Sequence, residues 1–495
     1  MRAARDTSIT AALVVALTLA LTLAAQVSGR SIAKPPRGIR VSVVATRPDL
    51  SWALTTMPPV QFTVGRVRGA IPTIRVDAAV RYQRVWSFGA AMTDTSAWLI
   101  HDELPTRLQD EVMEDLFSTR FGIGLRFVRV PIGASDFTAN GEQYTYDDAP
   151  PGERDPSLKS FSIAHDLPYI IPSLRRALAI DPHIELLGTP WTAPPWMKAN
   201  DSFGNGAFAG ALLPRYYGTY ARYFVKFLKA YRADGVPIGA LTVQNEPSFT
   251  TFPGGELSST AESGFINSYL SPALTSAGLG QVKIFGLDNG APNLDYAEQL
   301  LQGAATHDLA GIAWHCYAGG LQDMRRLHRL APRVDEIMSE CSPGVIPYSP
   351  AEAIIAAVRN WASTAALWNI ALTRSGGPVR HPNVSCNGCT GLITVSESRH
   401  TIKLGLGYYE LGQISKYVQP GAVRIASTPL ARYFATSSGY GVTPGLDDVA
   451  FRNPDGSIVL VAHNNGSAVT FRIAWAGRAA RYRLGPGVTA TFVWR

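Results

Sequence analysis

The chain has 495 residues, of which 46% are hydrophobic and 17% are charged, a balance that fits a globular protein and excludes a disordered or fibrous one. Its net charge of +7 is spread along the sequence without a basic block, an RNA-binding aromatic signature or a zinc-finger spacing. Nucleic acid is therefore not expected as a partner, whereas mild attraction to anionic surfaces stays open.

The amino terminus has the layout of a secretory signal peptide over residues 1–29. Arg2 and Arg5 precede an uncharged apolar run from Ile9 to Ala25, and small and polar residues follow. A run of this length is also close to what a membrane-spanning helix needs, so retention as an uncleaved anchor is the alternative. Both outcomes predict a secreted or extracytoplasmic protein.

Two regions outside the centre of the chain show short alternating strands separated by Gly and Pro turns. They are residues 41–74 and residues 416–495. Within the second region, Asn453-Pro454-Asp455-Gly456 is a hairpin signal between two strands. We expect the two regions to pair in one discontinuous β-sandwich domain.

Residues 75–415 alternate apolar strand-like segments with amphipathic helical stretches such as Tyr216–Arg232, as expected of repeated βα units and a parallel sheet. Eight repeats fit a closed barrel better than an open sheet. The predicted fold is therefore α/β, a (β/α)8 TIM barrel with an attached all-β sandwich. The eight predicted strands are Val85–Met92, Leu125–Ile132, Ile184–Trp191, Ile238–Glu246, Val282–Leu287, Gly311–Tyr317, Glu336–Cys341 and Ala365–Leu372.

Two carboxylates close strands of this predicted barrel, where catalytic groups of such barrels are found. Glu246 ends the fourth strand and Glu340 closes the seventh. Glycoside hydrolysis needs one carboxylic acid to protonate the leaving oxygen, and a second carboxylate to attack the anomeric carbon or to activate water. Asn245, next to Glu246, could hold the 2-hydroxyl group of the sugar. The alternative is that the two are unrelated carboxylates in surface ion pairs.

The four cysteines fall into two groups. Cys386 and Cys389 lie in Cys-Asn-Gly-Cys, which in an exported protein predicts a tight loop disulfide rather than half of a metal site. Cys316 and Cys341 lie beside candidate site residues, and the sequence leaves open whether they are free or paired. The nine histidines show no paired metal-ligand spacing, so His315 is expected to form hydrogen bonds. We expect no metal and no organic cofactor, because two carboxylates and water suffice for the chemistry.

Several longer motifs occur in order along the chain and closely resemble the glucosylceramidase (acid β-glucosidase) family, glycoside hydrolase family 30. The resemblance runs from about Val85 to the carboxyl terminus. The motifs are Ser87-Phe88-Gly89-Ala90-Ala91-Met92-Thr93-Asp94, Arg129-Val130-Pro131-Ile132, Ser135-Asp136-Phe137, Thr189-Pro190-Trp191-Thr192-Ala193-Pro194-Pro195-Trp196-Met197-Lys198, Asn245-Glu246-Pro247-Ser248 and Trp368-Asn369-Ile370-Ala371-Leu372.

This resemblance implies retention of the anomeric configuration, with Glu246 as the general acid/base and Glu340 as the nucleophile. It also implies that Arg129 and Tyr317 steady the nucleophile, with His315 close by. The residues that it places around the sugar substrate are Asp136, Trp191, Asn245, Tyr317 and Trp368.

The sequence departs from the family pattern around the pocket. Leu367 stands where glucosylceramidases carry an acidic residue, and Cys316 replaces a tryptophan between His315 and Tyr317. The segment Pro378–Val395 diverges more strongly still. We therefore expect these positions to affect the leaving-group side of the pocket.

Three functional hypotheses follow. The first is a glucosylceramidase acting on glucosylceramide-like glycolipids, with peripheral contact to lipid surfaces. The second is a secreted β-1,6-glucanase or another polysaccharide hydrolase of family 30. The third is a non-catalytic glycan-binding protein, which the presence of both carboxylates disfavours. The sequence does not indicate the oligomeric state.

Overall fold

A computed structural model describes residues 38–64, 71–204, 210–247, 252–290, 293–303, 308–317, 321–378, 386–429, 433–436 and 439–495. The predicted signal peptide, residues 1–29, lies outside the described residues. Across the described ranges, we find no helix that combines the length and the apolar character needed to span a membrane.

Four strands precede the barrel. On the first of them the side chains of Val41, Val43 and Ala45 are buried, as expected of a strand with one face toward a core. The four strands are β1 (Ile39–Thr46), β2 (Thr55–Val64), β3 (Thr73–Arg75) and β4 (Asp77–Arg84).

Eight parallel strands then follow one another around a closed barrel, which confirms the predicted barrel. Each of the eight predicted segments overlaps one of these strands. They are β5 (Ser87–Ala91), β6 (Phe127–Pro131), β7 (Glu185–Thr189), β8 (Ala240–Thr242), β9 (Lys283–Gly290), β10 (Gly311–His315), β11 (Asp335–Glu340) and β12 (Ala362–Leu367).

Helices connect these strands and cover the outside of the barrel. The helix predicted at Tyr216–Arg232 is present at Tyr217–Ala233 and buries Tyr220, Tyr223 and Phe224 on one face. The helices are α1 (Asp94–His101), α2 (Thr106–Phe117), α3 (Ile170–Ile180), α4 (Tyr217–Ala233), α5 (Ser259–Phe265), α6 (Ser271–Ser276), α7 (Leu294–Gln302), α8 (Gln322–Leu330), α9 (Pro350–Arg359) and α10 (Leu406–Ser415).

Eleven further strands in the described residues lie after the barrel sheet. The first three form a small separate sheet, and the fifth and sixth form a two-stranded hairpin. The strands are β13 (Ala371–Thr373), β14 (Ile393–Ser396), β15 (Thr401–Leu404), β16 (Val423–Ala426), β17 (Tyr433–Thr436), β18 (Gly439–Val442), β19 (Leu446–Arg452), β20 (Ile458–Asn464), β21 (Val469–Trp475), β22 (Arg478–Leu484) and β23 (Thr489–Trp494).

A ten-stranded sheet joins the strands that precede the barrel to those that end the chain, in the order β3-β21-β22-β2-β1-β23-β20-β19-β16-β4. β1 runs antiparallel to β23, with Ser42 opposite Val493. The rings of Phe62, Trp475 and Trp494 pack together with centroids 5.3 to 6.1 Å apart, so distant parts of the sheet share one core.

Several predicted limits differ from the structure, and β8 for example ends at Thr242 rather than at Glu246. The barrel was predicted to begin at residue 75, but β4 pairs with β16 of the ten-stranded sheet and the barrel begins with β5. The eighth strand was predicted at Ala365–Leu372, but it ends at Leu367. Asn369 adopts a φ of 61°, which turns the chain out of the barrel wall before β13 begins.

The interior of the barrel is closed by apolar side chains, one from nearly every strand. Trp86, just before β5, packs against this layer at the amino-terminal end of the strands. The layer consists of Phe127, Leu187, Ala240, Phe285, Ala313, Ile337 and Ala366. The polar groups described below therefore lie above a packed floor, at the carboxyl ends of the strands.

Gly89 of β5 provides a test of this packing, because a Cβ atom placed there would lie 1.6 Å from the carbonyl oxygen of Phe127 on β6. We expect Gly89→Ala to lower the free energy of unfolding by about 3 kcal/mol or more, since the strands must separate. The matched control is Gly264→Ala in α5, where a Cβ atom would meet nothing within 4 Å. That change should stabilise the helix by up to about 1 kcal/mol. Urea unfolding of both variants checks the prediction, and equal stabilities would contradict it.

Candidate active site

Charged side chains from five barrel strands converge at the carboxyl end of the barrel. Arg129 lies on β6, Asp288 on β9, His315 at the end of β10 and Glu340 at the end of β11, and Glu246 follows β8. The four residues on the strands are buried, and the side chain of Glu246 is 16% exposed. The barrel therefore brings both predicted carboxylates to one site.

Arg129 is the centre of this cluster, with no exposed surface. Its guanidinium donates to Glu340, to Oδ1 of Asn245 at 2.7 Å and to Oδ2 of Asp288 at 2.7 Å. Burial opposes its charge, but the carboxylates of Asp288 and Glu340 outweigh that effect and raise the pKa of Arg129. One buried cation thus orients three residues of the site.

Glu340 receives hydrogen bonds on both carboxylate oxygens. Tyr317 donates its hydroxyl to Oε1 at 2.8 Å, and Arg129 donates to Oε2. Burial raises the pKa of Glu340, and the positive charges of His315 and Arg129 oppose that rise. The two donors fix the orientation of the carboxylate.

His315 lies between the two predicted catalytic carboxylates. Its Nδ1 atom is 3.1 Å from Oε1 of Glu246 and 3.9 Å from Oε1 of Glu340, so these two oxygens lie within about 7 Å of each other. Its Nε2 atom is 3.2 Å from Oδ1 of Asp288. Burial disfavours the charged ring and lowers its pKa. The negative charges and hydrogen bonds of Glu340, Asp288 and Glu246 outweigh this effect and raise the pKa of His315 to about 10.

Asp288 was missed by the sequence analysis, although the criterion of a carboxylate at a strand end would have found it. The fifth strand was predicted to stop at Leu287, and β9 continues to Gly290. Besides Arg129 and His315, the hydroxyls of Ser339 and Thr242 donate to Asp288, at 2.6 and 2.8 Å. Burial opposes the charge of Asp288, yet Arg129 and these hydrogen bonds hold its pKa below the ordinary value.

The backbone at the strand ends adopts conformations that are unfavourable for residues with side chains. The φ angles of Glu246 and Asp288 are 47° and 52°. The N–H of Glu246 donates to the carbonyl oxygen of Asp288 at 3.0 Å, which holds the two turns together. Backbone of this kind costs on the order of 1–3 kcal/mol per residue and persists where the surroundings enforce it.

Asp136 lies in the loop after β6, near both Glu340 and Glu246. Burial, followed by the negative charges of these two residues, raises the pKa of Asp136 to about 8. Hydrogen bonds from its own backbone N–H and from that of Cys386 oppose the rise. The predicted sugar ligand is thus part of the same cluster.

The rings of Trp191 and Trp368 form a wall beside these groups. They stack with centroids 5.2 Å apart and an interplanar angle of 22°, and the guanidinium carbon of Arg129 lies 4.8 and 5.4 Å from their centroids. The ring of Phe137 meets Trp368 edge-on at 6.0 Å. The two tryptophan rings thus contact each other and Arg129, and both side chains are buried.

Both cysteine pairs are disulfides on this face of the barrel. Cys316 is joined to Cys341, and Cys386 is joined to Cys389. Among the described residues, no group of three or more His, Cys, Asp or Glu side chains has the arrangement of a metal site.

A cavity of about 500 Å³ lies at the opposite, amino-terminal end of the barrel. Its lining includes Ser87, Arg126, Lys416 and Pro420, and it contains neither Glu246 nor Glu340. The convergence of charged groups therefore identifies the carboxyl end as the candidate site.

Comparison with known proteins also identifies a barrel domain followed by a β-sandwich domain. The family models for the glycosyl hydrolase family 30 TIM-barrel domain and β-sandwich domain match residues 85–418 and 421–492. The predicted combination of barrel and sandwich is thereby confirmed.

Relatives of two named activities are similar to the chain. It is 32% identical over 396 residues to the endo-1,6-β-D-glucanase BGN16.3 of Trichoderma harzianum, covering 77% of this chain and 78% of the relative. It is 31% identical over 448 residues to the lysosomal acid glucosylceramidase of Mus musculus, covering 84% and 82%. The solved endo-β1,6-glucanase BT3312 superposes with a TM-score of 0.78 at 28% identity, covering 92% of this chain and 99% of that one.

The role of Asp288 can be tested through the titration of His315. The charge of His315 stabilises the fold fully below pH 6.5, and this contribution is lost as the pH rises to about 10. We expect Asp288→Asn to lower the midpoint of the ring titration by roughly one pH unit or more, because one of three negative partners is removed.

The titration is followed by NMR of labelled histidine. Asp49→Asn, which changes an exposed carboxylate that contacts Ser51 and Arg47, serves as the control and should leave the midpoint unchanged. A midpoint that stays near 10 in Asp288→Asn would rule out the proposed coupling.

Proposed function

The chain belongs to glycosyl hydrolase family 30, and on that premise we propose that it hydrolyses β-glucosidic bonds with retention of configuration. The proposal assigns Glu340 as the nucleophile and Glu246 as the general acid/base. The observation that carries it is the pair of carboxylate oxygens held within about 7 Å of each other around His315. Retaining enzymes separate their carboxyl groups by about 5–5.5 Å and inverting enzymes by roughly 6.5–9.5 Å, so an upper limit of about 7 Å for this oxygen pair is compatible with the retaining separation.

In the first step, the Glu340 carboxylate attacks the anomeric carbon while Glu246 gives its proton to the leaving oxygen. Arg129 and Tyr317 each donate to one oxygen of Glu340, so the attacking group is aligned before the substrate arrives. The charges of Arg129 and His315 favour the ionised form of Glu340 that attack requires.

In the second step, water hydrolyses the ester between the sugar and Glu340, with Glu246 as the base. Formation of the ester removes the negative charge of Glu340 from the pocket. Among the described residues no guanidinium contacts Glu246, and its side chain is 16% exposed against 8% for Glu340, which suits a group that exchanges protons.

Two polar side chains complete the sugar site in this proposal. Asn245 accepts from Arg129 through Oδ1, which leaves its amide N–H groups to donate to a sugar hydroxyl. Asp136 lies close enough to both carboxylates to contact the same sugar ring on another side.

For the substrate, we propose a β-1,6-linked glucan first. The support is the similarity to the endo-1,6-β-D-glucanases of Trichoderma harzianum and Neurospora crassa, each 32% identical, and to the solved β1,6-glucanase. Glucosylceramide is the second candidate, because the mouse glucosylceramidase aligns with a larger share of the chain at 31% identity. We also propose export, on the basis of residues 1–29. Contact with lipid surfaces is proposed only together with the second substrate.

A parallel assay separates the two substrates. Purified protein lacking residues 1–29 is incubated with a β-1,6-glucan and with fluorescent glucosylceramide, and the products are identified by chromatography. Release of glucose or short β-1,6-linked oligosaccharides supports the first proposal, and release of ceramide alone replaces it with the second. Hydrolysis of neither substrate contradicts both.

The roles of the two carboxylates are tested by substitution. We expect Glu340→Gln and Glu246→Gln each to lower kcat on an aryl β-glucoside by about 10³-fold or more, because each removes a carboxylate that takes part in bond cleavage. The isosteric control is Glu153→Gln at an exposed position, which should keep full activity.

The stereochemistry distinguishes retention from inversion. Proton NMR of the wild-type reaction should show the β-anomer as the first product, before mutarotation. Azide added to Glu246→Ala should restore turnover as a β-glucosyl azide, since the covalent intermediate then reacts with the small nucleophile. A first product in the α-configuration would exclude the retaining mechanism.

A further inference from the structure

All four cysteines of the chain form two disulfides, and both disulfides border the candidate active site. The two disulfides border different parts of the site. Cys316–Cys341 borders the two carboxylates, whereas Cys386–Cys389 borders Asp136 and the tryptophan wall.

The first disulfide joins the ends of two neighbouring barrel strands. Cys316 lies between His315 and Tyr317, and Cys341 follows Glu340. The strands pair up to His315 opposite Glu340, and the N–H of Cys316 donates to the carbonyl oxygen of Glu340 at 3.2 Å. The bridge therefore extends the connection between β10 and β11 by one covalent link, at the point where Glu340 leaves the sheet.

The second disulfide closes a short loop on the sugar side. The N–H of Cys386 donates to the carboxylate of Asp136, and both cysteines belong to or pack against the apolar cluster that contains Phe137, Trp191 and Trp368. Without the bridge, the backbone of Cys386 would be free to move away from Asp136.

This loop is docked on the segment that follows Glu340. The hydroxyl of Ser342 donates to Sγ of Cys389 at 2.8 Å, and the N–H of Thr390 donates to the carbonyl oxygen of Pro343 at 3.1 Å. A Cβ atom on Gly344 would lie 2.2 Å from the carbonyl oxygen of Gly388, so the two backbones are in direct contact. The loop thus connects the end of the nucleophile strand to the sugar side of the site.

We propose that the two disulfides are positioning devices with separate effects. Cys316–Cys341 fixes Glu340 relative to His315 and Tyr317 and so acts on turnover, whereas Cys386–Cys389 fixes Asp136 and so acts on sugar binding. The proposal rests on the hydrolase function proposed above and adds that sugar binding is sensitive to reduction.

Burial predicts the order in which the disulfides react with a reductant. Cys316 and Cys341 are 2% and 0% exposed, whereas Cys386 is half-buried and is followed by exposed Asn387 and Gly388. Thiol–disulfide exchange requires access of a thiolate to sulfur. Dithiothreitol should therefore reduce Cys386–Cys389 first, giving two protein thiols while the reagent is oxidised to its cyclic disulfide.

Two double variants separate the effects. We expect Cys386→Ala with Cys389→Ala to raise KM for an aryl β-glucoside by about tenfold and to change kcat by less than about threefold. We expect Cys316→Ala with Cys341→Ala to lower kcat by about tenfold, with KM within about threefold of wild type. Equal losses in both variants, or unchanged kinetics, would overturn the proposal.

A coupling measurement shows whether the loop acts through Asp136. Asp136→Asn is made in the wild type and in the variant lacking Cys386 and Cys389, and the affinity for 1-deoxynojirimycin, a glucose-shaped iminosugar, is measured by calorimetry. If the loop positions Asp136, the two losses in affinity do not add. Additive losses would show that the loop acts elsewhere and would overturn this part of the proposal.

Reduction of wild-type protein covers the case in which a double variant fails to fold. Dithiothreitol is added in steps, exposed thiols are alkylated and located by mass spectrometry, and KM is followed in parallel. In aliquots that are not alkylated, a rise in KM at the step where Cys386 and Cys389 become reactive to the alkylating reagent, and its reversal on reoxidation, support the proposal, and an unchanged KM refutes it. Iminosugar binding that weakens on reduction, in a protein that hydrolyses no glucoside, would preserve the positioning role and refute the hydrolase.

Discussion

A buried guanidinium must be neutralised, and at Arg129 this requirement organises the whole candidate site. The cation lies on β6 with no access to solvent, so its charge is stable only if acidic groups from other strands reach it. Asp288 from β9 and Glu340 from β11 meet that need. The barrel closes these strands into one ring, so the balance of charge at Arg129 and the geometry of the carboxylates depend on the same backbone.

The pocket is therefore arranged before a substrate binds. Glu340 is oriented by two donors, His315 is bracketed by three carboxylates, and the turns at Glu246 and Asp288 are held in left-handed backbone conformations. Such an arrangement costs folding free energy, and the packed layer below it supplies the rigid support. Preorganisation of this kind lowers the reorganisation needed when charge develops in a reaction.

Much of this could be predicted from the sequence, because parallel strands with long helical connections leave clear patterns. The eight strands and the position of Glu340 at a strand end follow from alternating apolar segments, whereas β8 ends at Thr242 and Glu246 lies in the segment after it. Asp288 was missed because β9 extends past its apolar residues, and the end of β12 was misplaced because Asn369 turns the chain within an apolar run. The pairing of Cys316 with Cys341 was left open, although the two residues lie at the ends of consecutive strands of the predicted barrel, because strand order alone does not fix the distance between two sulfur atoms.

Because β1 pairs with β23, the barrel and the ten-stranded sheet are completed at different times during synthesis. The barrel sheet is complete once the chain has reached Leu367, but β1, which also neighbours β2, gains its second partner only when residues 489–494 have been made. β23 lies between β1 and β20, so the ten-stranded sheet stays divided until β23 emerges. A nascent chain that stalls before that point carries a first strand that is paired with β2 on one edge only, and loss of β23 opens the sheet at its middle rather than trimming its edge.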